Sequence, residues 1–171
     1  QEEGKLLIQD PVSRFIPEFK ESTVAVPKDG GGYEVVKAKR EITLRDLLTH
    51  TAGVGYGGGV AAAEWKKAGI DGWYFAHRNE PVAETIKRMA SLPMEAHPGE
   101  QFVYGYSTDI LGVVIEKASG MTLDQFLKTR IFDPLGMKDT HFFLPREKAG
   151  RLSTVYTPTA GAPLKPAPVT G

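Results

Sequence analysis

The chain has 171 residues, of which 41% are hydrophobic and 25% charged, and this composition is typical of one globular domain rather than of a disordered chain. Its 21 Lys and Arg residues balance 21 Asp and Glu residues, so no net charge favours nucleic acid or an anionic membrane as a partner. The absence of cysteine excludes disulfides, thiol catalysis and cysteine-ligated metal sites, and no apolar run approaches the ~20 residues that cross a bilayer.

The N-terminal part of the chain has signals for a short helix followed by a hairpin. Asp10 before Pro11 has the pattern of an N-cap with proline at the first helical position, and Pro17 ends that predicted helix. Two β-prone runs at residues 23–26 and 33–38 flank a loop with three consecutive glycines, which predicts an antiparallel β-hairpin. No helix follows these glycines, so a turn is favoured over a phosphate-binding loop.

A longer helix is predicted to begin after Thr43. Thr43 and Asp46 have the spacing of a capping box, and Gly53 is the expected end of the helix. His50 would then lie in the last helical turn, where a ring N–H can donate to the carbonyls that end a helix. Residues 53–59 are rich in glycine and are expected to form a flexible loop.

Further helices and one strand are predicted from apolar periodicity and from Pro and Gly at the ends. Residues 109–118 are nearly all apolar, so this helix should be buried on most sides, and Gly120 ends it. The segment from Thr157 contains four of the twelve prolines and is expected to be an extended peptide that builds no core. The remaining predicted elements are helices at residues 61–68, 81–92 and 122–131, a type II turn at Pro98-Gly99 and a strand at residues 140–144.

Among residues that could carry chemistry, one stands out. The four histidines lack the H-x-x-x-H and H-E-x-x-H spacings of zinc sites, and no serine stands in a G-x-S-x-G or S-x-x-K motif. Tyr104 lies between the Pro98-Gly99 turn and the apolar helix, so a short rigid connection would hold its phenol. A tyrosine can accept and donate a proton when cations lower its pKa, but it can equally be a packing aromatic. These patterns alone leave both interpretations open.

Four segments, in the right order, resemble the serine β-lactamase-like hydrolases, a superfamily that includes class C β-lactamases, DD-peptidases and family VIII carboxylesterases. LLTHTAG at residues 47–53 is similar to the family's LLTHTSG, and PGEQFVY at residues 98–104 is similar to its PGxxFxY. IFDPLGMKDT at residues 131–140 matches IFxPLGMxDT, and residues 4–19 resemble the stretch EGKLxLDDPVxxYIPEF.

This resemblance implies a fold and a division of the chain. The fold is expected to be mainly α with a small β-hairpin, as the helical lobe of a β-lactamase/transpeptidase-like α/β fold. Residues 1–156 would form that lobe, incomplete because it lacks the S-x-x-K helix and the K-T-G-type strand. Residues 157–171 would be a Pro-rich extended segment.

The resemblance also implies a catalytic centre. In the family a Ser and a Lys in S-x-x-K give the nucleophile and its proton partner, a Tyr joins them, and a late strand carries K-T-G or an equivalent. Tyr104 matches the catalytic Tyr, whereas the Ser-Lys helix would precede Gln1 and the strand would follow Gly171. The parent protein is then an enzyme, but this chain alone lacks the nucleophile. We therefore expect Tyr104 at the surface, with its hydroxyl free of strong intrachain partners.

One wall of the substrate cleft is expected in this chain, with Val54, Tyr56, Trp73 and Tyr106 as substrate-binding residues. Tyr106 stands where members that recognise β-lactams have an Asn. A phenol cannot imitate the paired donor and acceptor of a carboxamide, which favours an esterase over a β-lactamase.

The implied reaction is acyl transfer on a small-molecule ester or amide substrate, with no metal and no organic cofactor. The remainder of the parent hydrolase is the other expected partner, and neither nucleic acid nor a membrane is expected. Two alternatives stay open, namely a non-catalytic excised helical module and a segment of a DD-peptidase or penicillin-binding protein. The compartment stays open between cytoplasm and periplasm, because the family occurs in both, and the oligomeric state is also open.

Overall fold

The computed structural model describes residues 2–72, 79–159 and 161–167. Across these residues the chain forms short helices and two separate antiparallel hairpins. In chain order the elements are two 3-10 turns at Val12–Arg14 and Pro17–Glu21, strands β1 (Thr23–Pro27) and β2 (Tyr33–Lys37), helices α1 (Leu44–Leu48), α2 (Ala62–Lys67), α3 (Val82–Met89), α4 (Ser107–Ser119) and α5 (Leu123–Leu127), a π-helical stretch at Lys128–Phe132, a 3-10 turn at Arg146–Arg151, and strands β3 (Tyr156–Thr159) and β4 (Ala162–Pro166).

The chain divides into two compact units, Gln1–Phe126 and Leu127–Gly171, and each is described by itself. The first unit contains the N-terminal hairpin, α1 to α4 and the predicted catalytic tyrosine. The expected division into a lobe at residues 1–156 and an extended segment at 157–171 stays a prediction.

The N-terminal hairpin forms as predicted, with β1 and β2 antiparallel. Strand β1 also contacts the segment that precedes the candidate site. It forms two backbone hydrogen bonds with Met94. The Ala25 N–H donates to the Met94 carbonyl at 2.9 Å, and the Met94 N–H donates to the Thr23 carbonyl at 2.8 Å. The hairpin therefore anchors the chain just before the turn at Pro98.

The predicted capping box of α1 is present. The Thr43 N–H donates to the Asp46 carboxylate at 2.8 Å, and the Asp46 N–H donates to the Thr43 hydroxyl at 3.2 Å. The helix ends at Leu48, however, and not near Gly53. The placement of His50 in its last turn was wrong, because His50 follows the helix with a left-handed φ of +54°.

The core of the first unit is built around α4, which packs against α1 and α3. This helix forms as the apolar run predicts, and it ends at Gly120, whose φ is +74° and whose N–H donates to the Glu116 carbonyl at 2.9 Å. The largest fully buried side chains of the core belong to Val12, Phe19, Ile42, Leu44, Leu47, Trp65, Ile70, Ile86, Met89, Met94, Tyr106 and Ile110.

Three local predictions differ from the structure. Asp10 does not cap a helix; its carboxylate accepts the Leu7 N–H at 2.8 Å, and only a 3-10 turn follows. The helix expected to reach residue 131 is α5 followed by a π-helical stretch. Residues 140–144 form no strand, since β-prone residues need a partner strand and none of the described strands pairs with them.

A second hairpin, β3 with β4, was not predicted, because it lies in the proline-rich segment. Proline is tolerated there because each strand of a two-stranded sheet is an edge strand, on which an N–H can be missing. Gly161, with a φ of +70°, lies in the turn. The fold therefore has two small hairpins where the sequence indicated one.

Candidate active site

Tyr104 is an exposed side chain on a fixed segment of backbone. Its side chain is 63% exposed, which confirms the prediction that it lies at the surface of the chain. The residues on either side of it are held by the backbone of residues 50–55. The Val103 N–H donates to the His50 carbonyl at 2.8 Å, and a Cβ at Gly105 would lie 2.3 Å from the Val54 carbonyl oxygen. The phenol therefore projects from a rigid mount.

Two further backbone hydrogen bonds extend this contact. The Glu95 N–H donates to the Gly53 carbonyl, and the Gly99 N–H donates to the Thr51 carbonyl, both at 2.8 Å. The predicted turn at Pro98-Gly99 forms, with a φ of +87° at Gly99 as a type II turn requires. The segment before Tyr104 is thus fixed along its length to the loop that follows α1.

The turn is also fixed to the start of α1 through Arg40. The Arg40 guanidinium donates to both oxygens of Asp46, at 2.6 and 2.9 Å, and lies against Gly99, where a Cβ would stand 2.5 Å from Nη2. Burial alone would raise the pKa of Asp46, but hydrogen bonds from Arg40 and Thr43 outweigh it and lower the pKa to about 2. This carboxylate therefore stays charged and joins the helix to the turn.

Aromatic rings surround the Tyr104 phenol. The His50 ring lies 4.7 Å from the Tyr104 ring between centroids, at an interplanar angle of 34°. The Tyr56 ring meets Tyr104 edge-on at 5.8 Å and 72°. The exposed Phe102 ring lies 5.8 Å from His50. The site is therefore an aromatic cluster, open to solvent on the side of Phe102 and Tyr104.

Tyr56 is linked to the Tyr104 side chain by more than ring contact. Burial is the largest cause that raises the pKa of the Tyr56 phenol, and Tyr104 and Asp109 add to it, in part through a side-chain hydrogen bond between Tyr56 and Tyr104. The expectation that the Tyr104 hydroxyl has no strong intrachain partner was therefore wrong. Tyr56 itself is half-buried.

Two of the expected substrate-binding residues are buried instead. Tyr106 is 1% exposed; its hydroxyl donates to the Gly72 carbonyl, and its ring stacks on Trp65 at 6.5 Å and 10°. Val54 is fully buried in the core. We therefore correct the expectation that these two side chains contact substrate directly, because packing encloses both. Trp73 lies outside the described residues.

Glu95 is a residue of the site that sequence analysis missed. Its carboxylate lies inside the glycine loop, so that a Cβ at Gly55 would stand 1.8 Å from Oε1 and one at Gly59 would stand 3.1 Å from Cγ. Burial raises the pKa of the Glu95 carboxyl, and a hydrogen bond from the Gly58 N–H offsets part of that effect. The loop at residues 53–59 is therefore packed around a side chain, which explains its many glycines. No local pattern connects Glu95 with that loop.

The described residues supply a phenol but no activated nucleophile next to it. Ser107, three residues after Tyr104, is fully buried, and its hydroxyl has no hydrogen-bond partner among the described residues. Within residues 2–72, 79–159 and 161–167, no three His, Asp or Glu side chains converge in a way that would hold a metal ion. Over the same residues no helix has the length and apolar character of a membrane span.

Curated relatives are similar to this chain over most of its length. Esterase EstB of Burkholderia gladioli is 33% identical over 144 residues, which are 81% of this chain and 33% of EstB. A putative D-alanyl-D-alanine carboxypeptidase of Salmonella typhimurium is 33% identical over 141 residues, which are 82% of this chain and 29% of that protein. The chain thus spans roughly a third of the length of these curated relatives.

Solved structures share the fold. EstCE1, described as a hydrolase with promiscuous acyltransferase activity, matches with a TM-score of 0.76 and 30% identity, over 98% of this chain and 40% of that one. A class C β-lactamase matches with a TM-score of 0.64 at 17% identity, over 99% of this chain and 37% of that one. The fold is therefore β-lactamase-like. Since the family model named Beta-lactamase matches residues 1–171, the whole of the sequence, this chain belongs to the Beta-lactamase family.

Proposed function

We propose that this chain is the central segment of a serine hydrolase that acts by acyl transfer through a Ser-Lys-Tyr centre, in which Tyr104 supplies the phenol. The observation that carries the proposal is the exposed Tyr104 side chain on a backbone fixed at Val103 and Gly105. A packing tyrosine usually buries its ring and sends its hydroxyl to a backbone acceptor, as Tyr106 does here. Tyr104 instead presents its phenol outward, as a proton-transferring group requires.

The nucleophilic Ser and its Lys would come from the part of the protein outside this chain. The Ser oxygen attacks the carbonyl carbon of an ester or amide, and its proton passes to the Lys and Tyr104 pair. The tetrahedral intermediate then collapses, the bond to the leaving group breaks, and the leaving group takes that proton. Water repeats the sequence on the acyl-enzyme and releases the acid. This route uses no cofactor.

The family membership and the names of EstB and EstCE1 support small-molecule esters as the substrate class. The buried Tyr106 supports an esterase over a β-lactamase, because its hydroxyl already donates to the Gly72 carbonyl and offers no amide-like group to a substrate. We assign Tyr56 and Trp73 to the wall of the cleft that faces the substrate. We assign Val54 and Tyr106 to the buried residues that support this wall. The remainder of the hydrolase is the partner that completes the cleft.

A DD-peptidase is the second candidate, favoured by the carboxypeptidase relative. Three substrates separate the candidates in the full-length protein: p-nitrophenyl acetate for an esterase, nitrocefin for a β-lactamase and a peptide ending in D-alanyl-D-alanine for a peptidase. We expect the acetate ester to be hydrolysed fastest. A non-catalytic module would hydrolyse none of them.

The decisive variant is Tyr104→Phe in the full-length protein, since it keeps the ring and removes only the hydroxyl. General acid–base groups contribute about a hundred- to ten-thousand-fold, so kcat should fall by that factor with little change in Tm. Tyr156→Phe is the matched control, because Tyr156 is an exposed tyrosine of the second unit. A Tyr104→Phe variant with normal turnover would contradict the proposed role.

A further inference from the structure

His50 has two features that cost free energy. It is the one non-glycine residue with a positive φ among the described residues, at +54°, a conformation that persists only where the surrounding structure enforces it. Its Nδ1 atom is buried and has no hydrogen-bond partner within the described part of the chain. A buried polar atom without a partner destabilises the folded state. Neither feature is needed for the loop to turn, since glycine would adopt the same backbone conformation without strain.

The backbone around His50 explains how the strain is held. The His50 N–H donates to the Leu47 carbonyl at 3.2 Å, and the Thr51 N–H donates to the Asp46 carbonyl at 2.8 Å. The hydroxyls of Thr49 and Thr51 lie 2.9 Å apart. The His50 carbonyl accepts the Val103 N–H at 2.8 Å. Each neighbour of His50 is therefore fixed, and so is the backbone from which the His50 ring projects.

From this backbone the His50 ring packs on Tyr104. The centroids are 4.7 Å apart at 34°, and the same imidazole lies 5.8 Å from Phe102. Phe102 and Tyr104 are two residues apart, and the hydrogen-bonded Val103 lies between them. His50 thus contacts three consecutive residues, Phe102 and Tyr104 with its ring and Val103 with its carbonyl. It therefore fixes the phenol through both its backbone and its ring.

We propose that His50 is a positioning residue for Tyr104, whose imidazole face sets the direction in which the phenol presents its hydroxyl. The orientation itself follows from the contacts of His50, and its kinetic consequence rests on the proposed function of Tyr104. A displacement of about 1 Å at a reacting group can cost about a hundredfold in rate, so an exposed phenol needs such a contact.

The test is His50→Asn in the full-length protein that contains this chain. Asn also adopts the left-handed conformation, so the variant removes the ring while it keeps the backbone. The matched control is His141→Asn, because His141 is an exposed histidine of the second unit. The tyrosines are labelled with carbon-13, and the ring signals of Tyr104 are assigned by their absence from Tyr104→Phe.

We expect the Tyr104 ring signals to broaden in His50→Asn, because the phenol then samples several orientations, and to stay unchanged in His141→Asn. Tyr104 signals that stay as sharp in His50→Asn as in the parent protein would overturn the proposal, whatever the activity of the variant, since a change of shift alone follows from loss of the imidazole ring current. This measurement requires no turnover, so it decides the role of His50 even if Tyr104→Phe shows that the proposed function is wrong.

The kinetic arm is a double-mutant cycle on p-nitrophenyl acetate hydrolysis. His50→Asn should lower kcat by about ten- to a hundredfold with KM little changed. In the Tyr104→Phe background the same change should cost less than about twofold, because the hydroxyl that His50 positions is already absent. Equal losses in both backgrounds would assign His50 a general structural role and overturn the proposal.

Discussion

Gly105 lies so close to Val54 that a Cβ atom added to it would stand 2.3 Å from the Val54 carbonyl oxygen. The next nearest atoms, at 2.5 Å, are the backbone carbons of Gly55, so no flexible side chain can move aside. The segment of Tyr104 and the loop after α1 therefore meet backbone to backbone. This contact places the phenol beside His50 and Tyr56.

We expect Gly105→Ala to lower the free energy of unfolding by about 1–3 kcal/mol, as overpacking usually does. It should also lower kcat, because Tyr104 has to move with the displaced segment. Urea denaturation and ester hydrolysis by the full-length protein measure the two effects. Gly150→Ala is the control, since a Cβ there meets nothing within 4 Å and the backbone is not left-handed. Equal urea midpoints for the two variants would contradict the prediction.

Asp46→Asn tests the link between α1 and the turn at Gly99. The Asp46 pKa is lowered from 3.8 to about 2 in the folded chain, so its carboxylate stabilises the fold at neutral pH. The shift corresponds to about 2 kcal/mol, which is lost as the pH falls from about 4 through the folded pKa. Asn should therefore reduce stability at pH 7, and the difference from the parent chain should narrow towards pH 2.

Denaturant titrations of Asp46→Asn at pH 7 and at pH 3 give this difference directly. Asp29→Asn is a matched control, because Asp29 lies exposed in the hairpin loop. The prediction is wrong if Asn at position 46 is as stable as Asp at pH 7, or if its deficit grows as the solution becomes more acidic.

Leu47→Ala measures the core beneath the site. Leu47 is 1% exposed, and its removal should cost about 2–5 kcal/mol, from lost burial and the cavity left behind. Leu48, the next residue, is 58% exposed, so Leu48→Ala should change stability by less than about 0.5 kcal/mol. The pair differs only in burial, and denaturant titration compares them. A loss below half that of a typical core leucine would show that Leu47 packs loosely.

Local signals predicted the elements that depend on residues close in sequence. The capping box needs only Thr43 and Asp46, and the apolar run of α4 needs only its own residues, so both formed as predicted. The candidate site depends on contacts between distant residues. The left-handed His50 is stabilised in part by the hydrogen bond that its carbonyl accepts from the N–H of Val103, 53 residues later, and no periodicity encodes that contact.

The same reason explains the error at Tyr106. As a sequence position it follows Tyr104 by two residues and matches a substrate-binding Asn of related enzymes. In the structure it directly precedes α4, its ring stacks on Trp65 and its hydroxyl donates to the Gly72 carbonyl. Both partners come from a segment more than thirty residues earlier in the chain. Burial against these two residues decides the role of Tyr106, whereas the resemblance could indicate only its place in the sequence.

Glu95 gives a prediction of opposite sign to that for Asp46. Burial raises the pKa of the Glu95 carboxyl above its ordinary value of 4.5, so the folded chain holds this proton more tightly than the unfolded chain. Its contribution to stability is therefore greatest below about pH 4.5 and is lost as the pH rises through the folded pKa. At neutral pH the partly buried charge destabilises the glycine loop around it.

Glu95→Gln removes that charge and keeps the shape of the side chain, and its amide oxygen can still accept the Gly58 N–H. We expect a Tm at pH 7 at or above that of the parent chain, with the two values converging below about pH 4. Glu95→Ala is the contrasting variant. It leaves the Gly58 N–H without its acceptor and opens a cavity between Gly55 and Gly59. Its Tm should therefore fall at every pH. A Gln variant that melts well below the parent at pH 7 would mean that the loop requires the carboxylate charge, and the sign of the prediction would be wrong.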